Sequence, residues 1–411
     1  MKDLEYDVII IGGGISGLYI LNNLKHQYPQ LNIKLLERDS HIGGRIKTKY
    51  YSNGQVKFET GPWRIHHTHL RTIKLIESLN ISYRPNSSSH PLSKTGNIDI
   101  CQSKPIIKNR TKNKLKKQAG LSLYENIILQ QDICEANITN EFSKIPQVMD
   151  STVTVYDNNL ANTGQYFVLD KGLSYLIHQL SKKVEDSILT NYMVTNITKL
   201  DNQYHIDVMI RDQNKFTNKQ LKAKYIFLCL PPFYIQEWDI AQSYLKTLIG
   251  SIGSIPLNHI YAKSPNLSSL YDNKFQIFTN SYLSQVISGD YNNDWFQLSY
   301  SGGSRAQFWN RLKMKYPEKV KDYLQQLLHQ HNLKITITKI ESFYWDQAIH
   351  FWKPQIDFNL TKAIKNAVYP DPINLPNLFI SGEAISGVQG WIEGALQTAD
   401  MSVKKFYTLY N

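Results

Sequence analysis

The stretch "YDVIIIGGGISGLYILNNLKHQ" (residues 6–27) reads as one structural sentence. The β-branched run Val8 to Ile11 predicts a buried strand, the glycines a tight turn, and the pattern from Leu18 onward an amphipathic helix. A second short strand, "IKLLE" (residues 33–37), follows and ends on Glu37. Gly12, Gly14 and Gly17 stand at G-x-G-x-x-G spacing, and Glu37 lies twenty residues after the last of them. Gly12 permits the turn, Gly14 lets backbone N–H groups approach a pyrophosphate, and Gly17 lets the helix pack closely on the strand. The helix N-terminus then faces the phosphates with its partial positive charge, while Glu37 can accept from both hydroxyls of a ribose. With strand, helix and acid all in place, the reading is a bound dinucleotide.

The motif by itself leaves NAD and FAD open. The residues directly after Glu37 add "HIGGRIKT" (41–48), in which Gly43 and Gly44 precede Arg45. This second glycine pair offers further backbone donors, and Arg45 a charge, to the same pyrophosphate.

The same alternation of elements recurs along the chain. "GQYFVLDKGLSYLIHQLSKKV" (164–184) reads as strand, turn and helix, and "ILTNYMVTNITKL" and "YHIDVMI" as antiparallel strands. "AKYIFLCLPP" (223–232) is a buried strand stopped by two prolines, and "NLFISGE" a strand leading to the helix in "GWIEGALQTADMSVKKFY". The expected fold is α/β: a Rossmann-like domain, with a parallel sheet and a small antiparallel meander, interleaved with an α+β domain. The dinucleotide domain would comprise residues 1–75, 164–234 and 353–411, and the second domain 76–163 and 235–352.

Composition sets the bounds. The 411 residues, 42% hydrophobic and 19% charged, suit a globular protein of two or three domains. No run is apolar for long enough to span a bilayer, and the N-terminus lacks the features of a secretory signal. Cys101, Cys134 and Cys229 have no zinc-ligand spacing and suit a reducing compartment, so a cytoplasmic location is expected. The net charge is +12, but residues 104–118 carry seven basic side chains and no acidic one; without them it falls to +5. That segment is read as a solvated face, and nucleic acid or another polyanion as the lesser reading, since no aromatics interleave the lysines. A homodimer is compatible with the sequence.

"IGGGISG", "LLERDSHIGGRIKT", "FETGPWR", "KYIFLCLPP" and "LFISGEAISGVQGWIEGALQTAD" together resemble the flavin-containing amine oxidase family, which includes monoamine, polyamine and L-amino-acid oxidases. The resemblance covers both ends and part of the middle of the chain. It implies FAD as the cofactor, with Glu37 on the adenosine ribose and Ser16, Gly44 and Arg45 along the pyrophosphate. Val194 would meet the adenine through its backbone, and Gly61, Pro62, Trp63 and Arg64 would turn beside the flavin. Gly382 and Glu383 would reach the ribityl chain, and the backbone of Trp391 and Ile392 the pyrimidine edge. A helix N-terminus at that edge suits an anionic reduced flavin.

Trp391 matches one wall of the aromatic cage before the flavin. Of Trp345 and Trp352, which could supply the other wall, Trp352 is the expectation, and core packing is the competing reading for each tryptophan. Two departures stand out. No cysteine follows Cys229, so the FAD should be non-covalent, and Leu257 replaces the lysine that many members place beside flavin N5, with Lys263 six residues further on. The latter puts fast reoxidation by O2 in doubt.

The stretch "FETGPWRIHHTH" (58–69) has three readings. Adjacent histidines rarely converge on one ion, so no metal is expected at His66, His67 and His69. Packing accounts for the glycine and the next helix but not for Arg64. "GPWR" followed by a histidine resembles the segment of L-amino-acid oxidases in which the arginine grips the substrate carboxylate, a task that suits a guanidinium. The implied activity is oxidation of an amine to an imine with O2 reduced to H2O2, on an L-amino acid or a similar carboxylate-bearing amine. A polyamine or monoamine oxidase, a flavin desaturase or isomerase of an apolar substrate, and a non-catalytic FAD-binding scaffold are the alternatives.

Overall fold

A computed structural model describes residues 4–86, 97–99, 166–213, 215–265, 276–278, 281–287, 294–353 and 358–411. The basic segment 104–118, Cys101 and Cys134 lie outside the described residues.

The main sheet is built on β1 (Leu4–Ile11), which pairs in parallel with β2 (Ile33–Leu36) on one side and β12 (Lys215–Leu228) on the other. Strand β9 (Ile188–Leu189) extends it beyond β2, and β18 (Leu378–Ile380) runs parallel to the end of β12. The first half of β12 forms an antiparallel meander with β10 (Tyr192–Leu200) and β11 (Gln203–Asp212). The parallel sheet with its meander is thus present as the sequence reading expects.

Alternation explains why β1 is apolar throughout. Val8 and Ile10 point into one core with α1 (Ile15–Gln27) and α7 (Ile392–Tyr410), while Ile9 and Ile11 point into another on the opposite face. The close helix–strand approach requires Gly17: a Cβ there would lie 2.1 Å from the Gly12 carbonyl oxygen.

A second sheet faces the first. Its antiparallel strands β17 (Lys339–Trp352), β13 (Ile252–Lys263), β16 (Trp295–Gly302), β15 (Gln285–Ile287) and β14 (Gln276–Phe278) continue to β7 (Asn97–Asp99), which joins in parallel. Ile260 and Ala262 of β13 pack into a core with helices α4 (Gly303–Lys315) and α5 (Lys319–Gln330). Residues of opposite parity, Leu257 and His259, therefore look the other way, into the space between the sheets. In β17 a bulge places Trp345 opposite Leu257 and Ile349 opposite Ile255, so extra residues loop out.

Smaller ribbons join these layers: β3 (Thr48–Tyr50) with β4 (Val56–Glu59), and β8 (Tyr166–Leu169) between β5 (Ile65–His66) and β6 (Tyr83–Pro85). Helices α2 (Leu70–Ser78), α3 (Leu173–Ser181) and α6 (Leu360–Val368) cover the main sheet. Among the described residues no helix is long and apolar enough to cross a membrane.

Candidate active site

Between the two sheets lies a cavity of about 540 Å³. Gly12, Gly14, Ser16, Glu37, Gly44, Arg45, Gly61, Pro62, Trp63, Arg64, Val194, Gly382, Glu383, Trp391 and Ile392 all line it, so the structure brings together nearly every residue singled out in the sequence. Gly17 does not line it; its place is the contact between α1 and β1.

Helices α1 and α7 both begin at this cavity, and no side chain caps either start. Their first-turn N–H groups are available to an anion. At Gly14 a Cβ would meet nothing within 4 Å, and at Gly44 it would meet only the Gly14 Cα at 3.6 Å. Two bare backbones therefore lie side by side with open space over Gly14, a surface that fits a pyrophosphate. Glu37 accepts the backbone N–H of Gly13 at 2.7 Å on one oxygen and that of Asp39 at 2.8 Å on the other. Each oxygen retains a lone pair for a ribose hydroxyl.

Glu383 is buried and accepts from Arg45 Nη1 at 2.6 Å, His350 Nδ1 at 2.5 Å and the Gly390 N–H at 2.7 Å. Burial alone would raise its pKa, but His350, Arg45 and these hydrogen bonds outweigh burial and hold it well below the usual carboxylate range. Arg45 Nη1 also donates to the Ala348 carbonyl at 2.8 Å, in the β17 bulge. The arginine that the sequence places along a pyrophosphate is thus also a strut between Glu383 and the second sheet.

Arg64 follows the Gly61-Pro62 turn, where a Cβ on Gly61 would lie 1.9 Å from the Arg45 carbonyl oxygen. Its guanidinium carbon sits 4.7 Å from the Trp63 ring centroid and 4.4 Å from that of Tyr166. Among the described residues no carboxylate forms an ion pair with it. Aromatic faces can hold the plane of a guanidinium while leaving its N–H edge to a ligand. Tyr300 of β16 also lines the cavity; burial raises its pKa and Arg64 partly offsets this, so the hydroxyl stays protonated.

His69 touches Trp391 edge-on, with ring centroids 4.8 Å apart, and its Nδ1 accepts the His66 backbone N–H. Burial, with His66 and His67 nearby, pushes its pKa down to about 3. His69 thus braces Trp391 as a neutral ring.

Trp352 requires a correction. It is buried in the core behind the main sheet, with its indole N–H donating to the Ser386 carbonyl, and it does not line the cavity. Trp345 lines it instead and donates its indole N–H to the Thr60 carbonyl at 2.6 Å. The reason is parity. Trp345 pairs with Leu257 and Trp352 with Ile252, an odd number of positions apart on β13, so they occupy opposite faces.

Leu257 stands in the lining beside Trp345, whereas Lys263 is at the far end of β13, 3.2 Å from Asp294 and outside the lining. His259 and Tyr300 are the site residues that sequence reasoning missed, and Trp345 the one it named but ranked behind Trp352. The alternation in "IPLNHIYAK" carries a signal for His259 only once Leu257 is known to face inward.

Residues 10–77 match the family model of the NAD(P)-binding Rossmann-like domain. A curated relative that matches over nearly the full chain is the uncharacterized protein R188 of Acanthamoeba polyphaga mimivirus. It is 24% identical over 98% of this chain and 94% of its own length. Among solved structures, cyclohexylamine oxidase from Brevibacterium oxydans aligns over 100% of both chains with a TM-score of 0.70 and 15% identity. Putrescine oxidase with bound putrescine aligns over 98% of this chain and 99% of its own, with a TM-score of 0.67 and 15% identity. A protein from an Exiguobacterium species, named as a candidate protoporphyrinogen oxidase, covers 99% of both chains with a TM-score of 0.70 and 15% identity. The fold is the one these oxidases share, and the resemblance seen in the sequence holds at that level.

Proposed function

We propose that the protein is an FAD-dependent amine oxidase that holds its flavin non-covalently and acts on an L-amino acid or a similar carboxylate-bearing amine. The observation that carries this reading is Arg64, stacked on Trp63 and Tyr166 and lining the same cavity as Trp391. FAD, held in this cavity, would supply the redox chemistry for oxidising an amine to an imine, which water hydrolyses, with O2 as the final acceptor giving H2O2.

The chain's own residues do the rest. The Gly14–Gly44 cradle and the start of α1 would hold the pyrophosphate, Glu37 the adenosine ribose, Val194 the adenine, and the start of α7 the pyrimidine edge. Arg64 fixes the substrate carboxylate through two parallel hydrogen bonds, and the protonated Tyr300 hydroxyl supplies a neutral donor beside it. Trp391, Trp345 and Trp63 shield the reacting amine from water, and the loss of hydration there favours its uncharged form. Every carboxylate in the lining already has a donor: Glu37 and Glu383 as described, Asp39 from Arg38 Nε at 3.3 Å, and Asp346 from the Tyr234 hydroxyl at 3.2 Å.

A second reading, a flavin desaturase of an apolar substrate, draws on the Leu257–Trp345 wall and on a lining without lysine among the described residues. Anaerobic mixing with L-amino acids, monoamines, polyamines and alkene precursors separates the two. Bleaching of the flavin by an L-amino acid, with release of the keto acid, supports the first. Faster bleaching by an amine without a carboxylate, or bleaching by an alkene precursor alone, overturns it, and no bleaching by the whole panel leaves a non-catalytic flavoprotein.

A further inference from the structure

His259 faces the cavity from β13, opposite Tyr300 of β16, with their rings edge-on at 4.9 Å between centroids. It is 2% exposed, and burial pushes its pKa down to about 3, so the ring is neutral at working pH. The Gln297 side-chain amide nitrogen lies 3.1 Å from its Nδ1. An amide N–H can only donate, so Nδ1 is the acceptor and the ring proton resides on Nε2. The position therefore presents a fixed neutral donor next to Tyr300, in a lining that also holds the apolar faces of Leu257, Trp345 and Trp63.

Neither the dinucleotide motif nor the carboxylate grip at Arg64 uses this group. A buried donor facing a ligand cavity discriminates strongly, because an apolar ligand group leaves it unpaired.

Resting on the amino-acid reading above, we propose that His259 is a specificity residue: its Nε2–H, beside the Tyr300 hydroxyl, selects substrates whose side chain ends in a carboxamide or carboxylate oxygen over apolar ones of the same shape.

The test uses the flavin-loaded protein and three carboxylates that lack the reacting amine. Succinamate and 4-methylpentanoate share a heavy-atom skeleton and differ in an amide against an isopropyl end; succinate supplies the carboxylate arm. Dissociation constants come from the perturbation of the flavin's visible spectrum. Wild type should bind succinamate, succinate or both more tightly than 4-methylpentanoate, and the better of the two names the preferred oxygen. His259→Leu should move that ratio about 3- to 10-fold towards 4-methylpentanoate, and His259→Gln, which keeps an N–H donor, should retain the preference. If His259→Leu does not fold, Gln297→Met releases the tautomer and should erode the same ratio.

An unchanged ratio in His259→Leu, or equal weakening of all three ligands, overturns the assignment. Arg64→Ala keeps the readings separate. It should weaken 4-methylpentanoate and succinamate by a similar factor, and if it weakens neither, the carboxylate reading fails whatever the His259 ratio shows. A holoprotein that binds none of the three overturns both.

Discussion

Replacing Arg64 by alanine removes a guanidinium but leaves the Trp63 and Tyr166 faces that flank it at 4.7 and 4.4 Å. In the variant, a substrate carboxylate would be desolvated against two rings with no cation to meet it. Losing a charge-assisted pair of hydrogen bonds in such a setting costs about 2–4 kcal/mol, or roughly 30- to 900-fold in kcat/KM. The assay compares an amino acid with the amine lacking only its carboxylate, such as L-leucine with 3-methylbutylamine, in wild type and variant. Substrate truncation then acts as the second change of a double-mutant cycle, so that general damage to the site cancels. The expected result is a large loss for the amino acid, a small one for the amine, and unchanged flavin content. Arg64→Lys should recover only part of the loss, since an ammonium has neither the fork nor the stacking plane. If both substrates lose activity equally, or the flavin is lost, Arg64 supports the fold rather than the substrate.

Other consequences are open to measurement. His69 and His259 hold their protons only near pH 3 when folded, against about 6.5 unfolded, so protons favour the unfolded chain between those values. Stability should therefore fall as pH drops below about 6.5, by up to about 1.4 kcal/mol per pH unit for each histidine, with no matching fall from pH 8 to 7. Urea midpoints across pH 4–8 check this, and His259→Leu should flatten the slope. Cys229, the one cysteine in the cavity lining among the described residues, has its thiol pushed far up by burial and stays protonated, so acid precipitation should release all bound flavin into the supernatant. Gly61→Ala forces a Cβ against the Arg45 backbone and should cost about 1–3 kcal/mol in thermal or urea unfolding; an unchanged midpoint would show that the turn moves freely.

How far the sequence could be read depended on whether a residue's task is local. Gly12, Gly14, Gly17 and Glu37 belong to one continuous strand–turn–helix–strand unit, and their spacing alone dictates where they come together. Arg64 was singled out through the resemblance of "GPWR" to a family segment; the Gly-Pro turn sets its neighbour Trp63, but Tyr166 reaches it from the distant strand β8. The second sheet was not legible. Leu257, His259, Tyr300 and Trp345 meet only through pairing of β13 with β16 and β17, and strand alternation does not name a strand's partners. The two tryptophans of β17 show the limit. Their odd separation says that one at most faces the cavity, and only the register with β13 says which.

Glu393, in the first turn of α7, accepts the backbone N–H groups of Arg71 and Thr72, the Thr72 hydroxyl and the Arg71 guanidinium. One carboxylate thereby serves as a common pivot for two chain segments more than three hundred residues apart in sequence. Trp391 lies two positions before that pivot on one segment, and Arg64 lies a single short strand upstream of it on the other. The segments that carry Trp391 and Arg64 are thus tied to each other by a handful of hydrogen bonds to one carboxylate. On the function proposed above, substrate pocket and cofactor edge would shift as one piece about that pin.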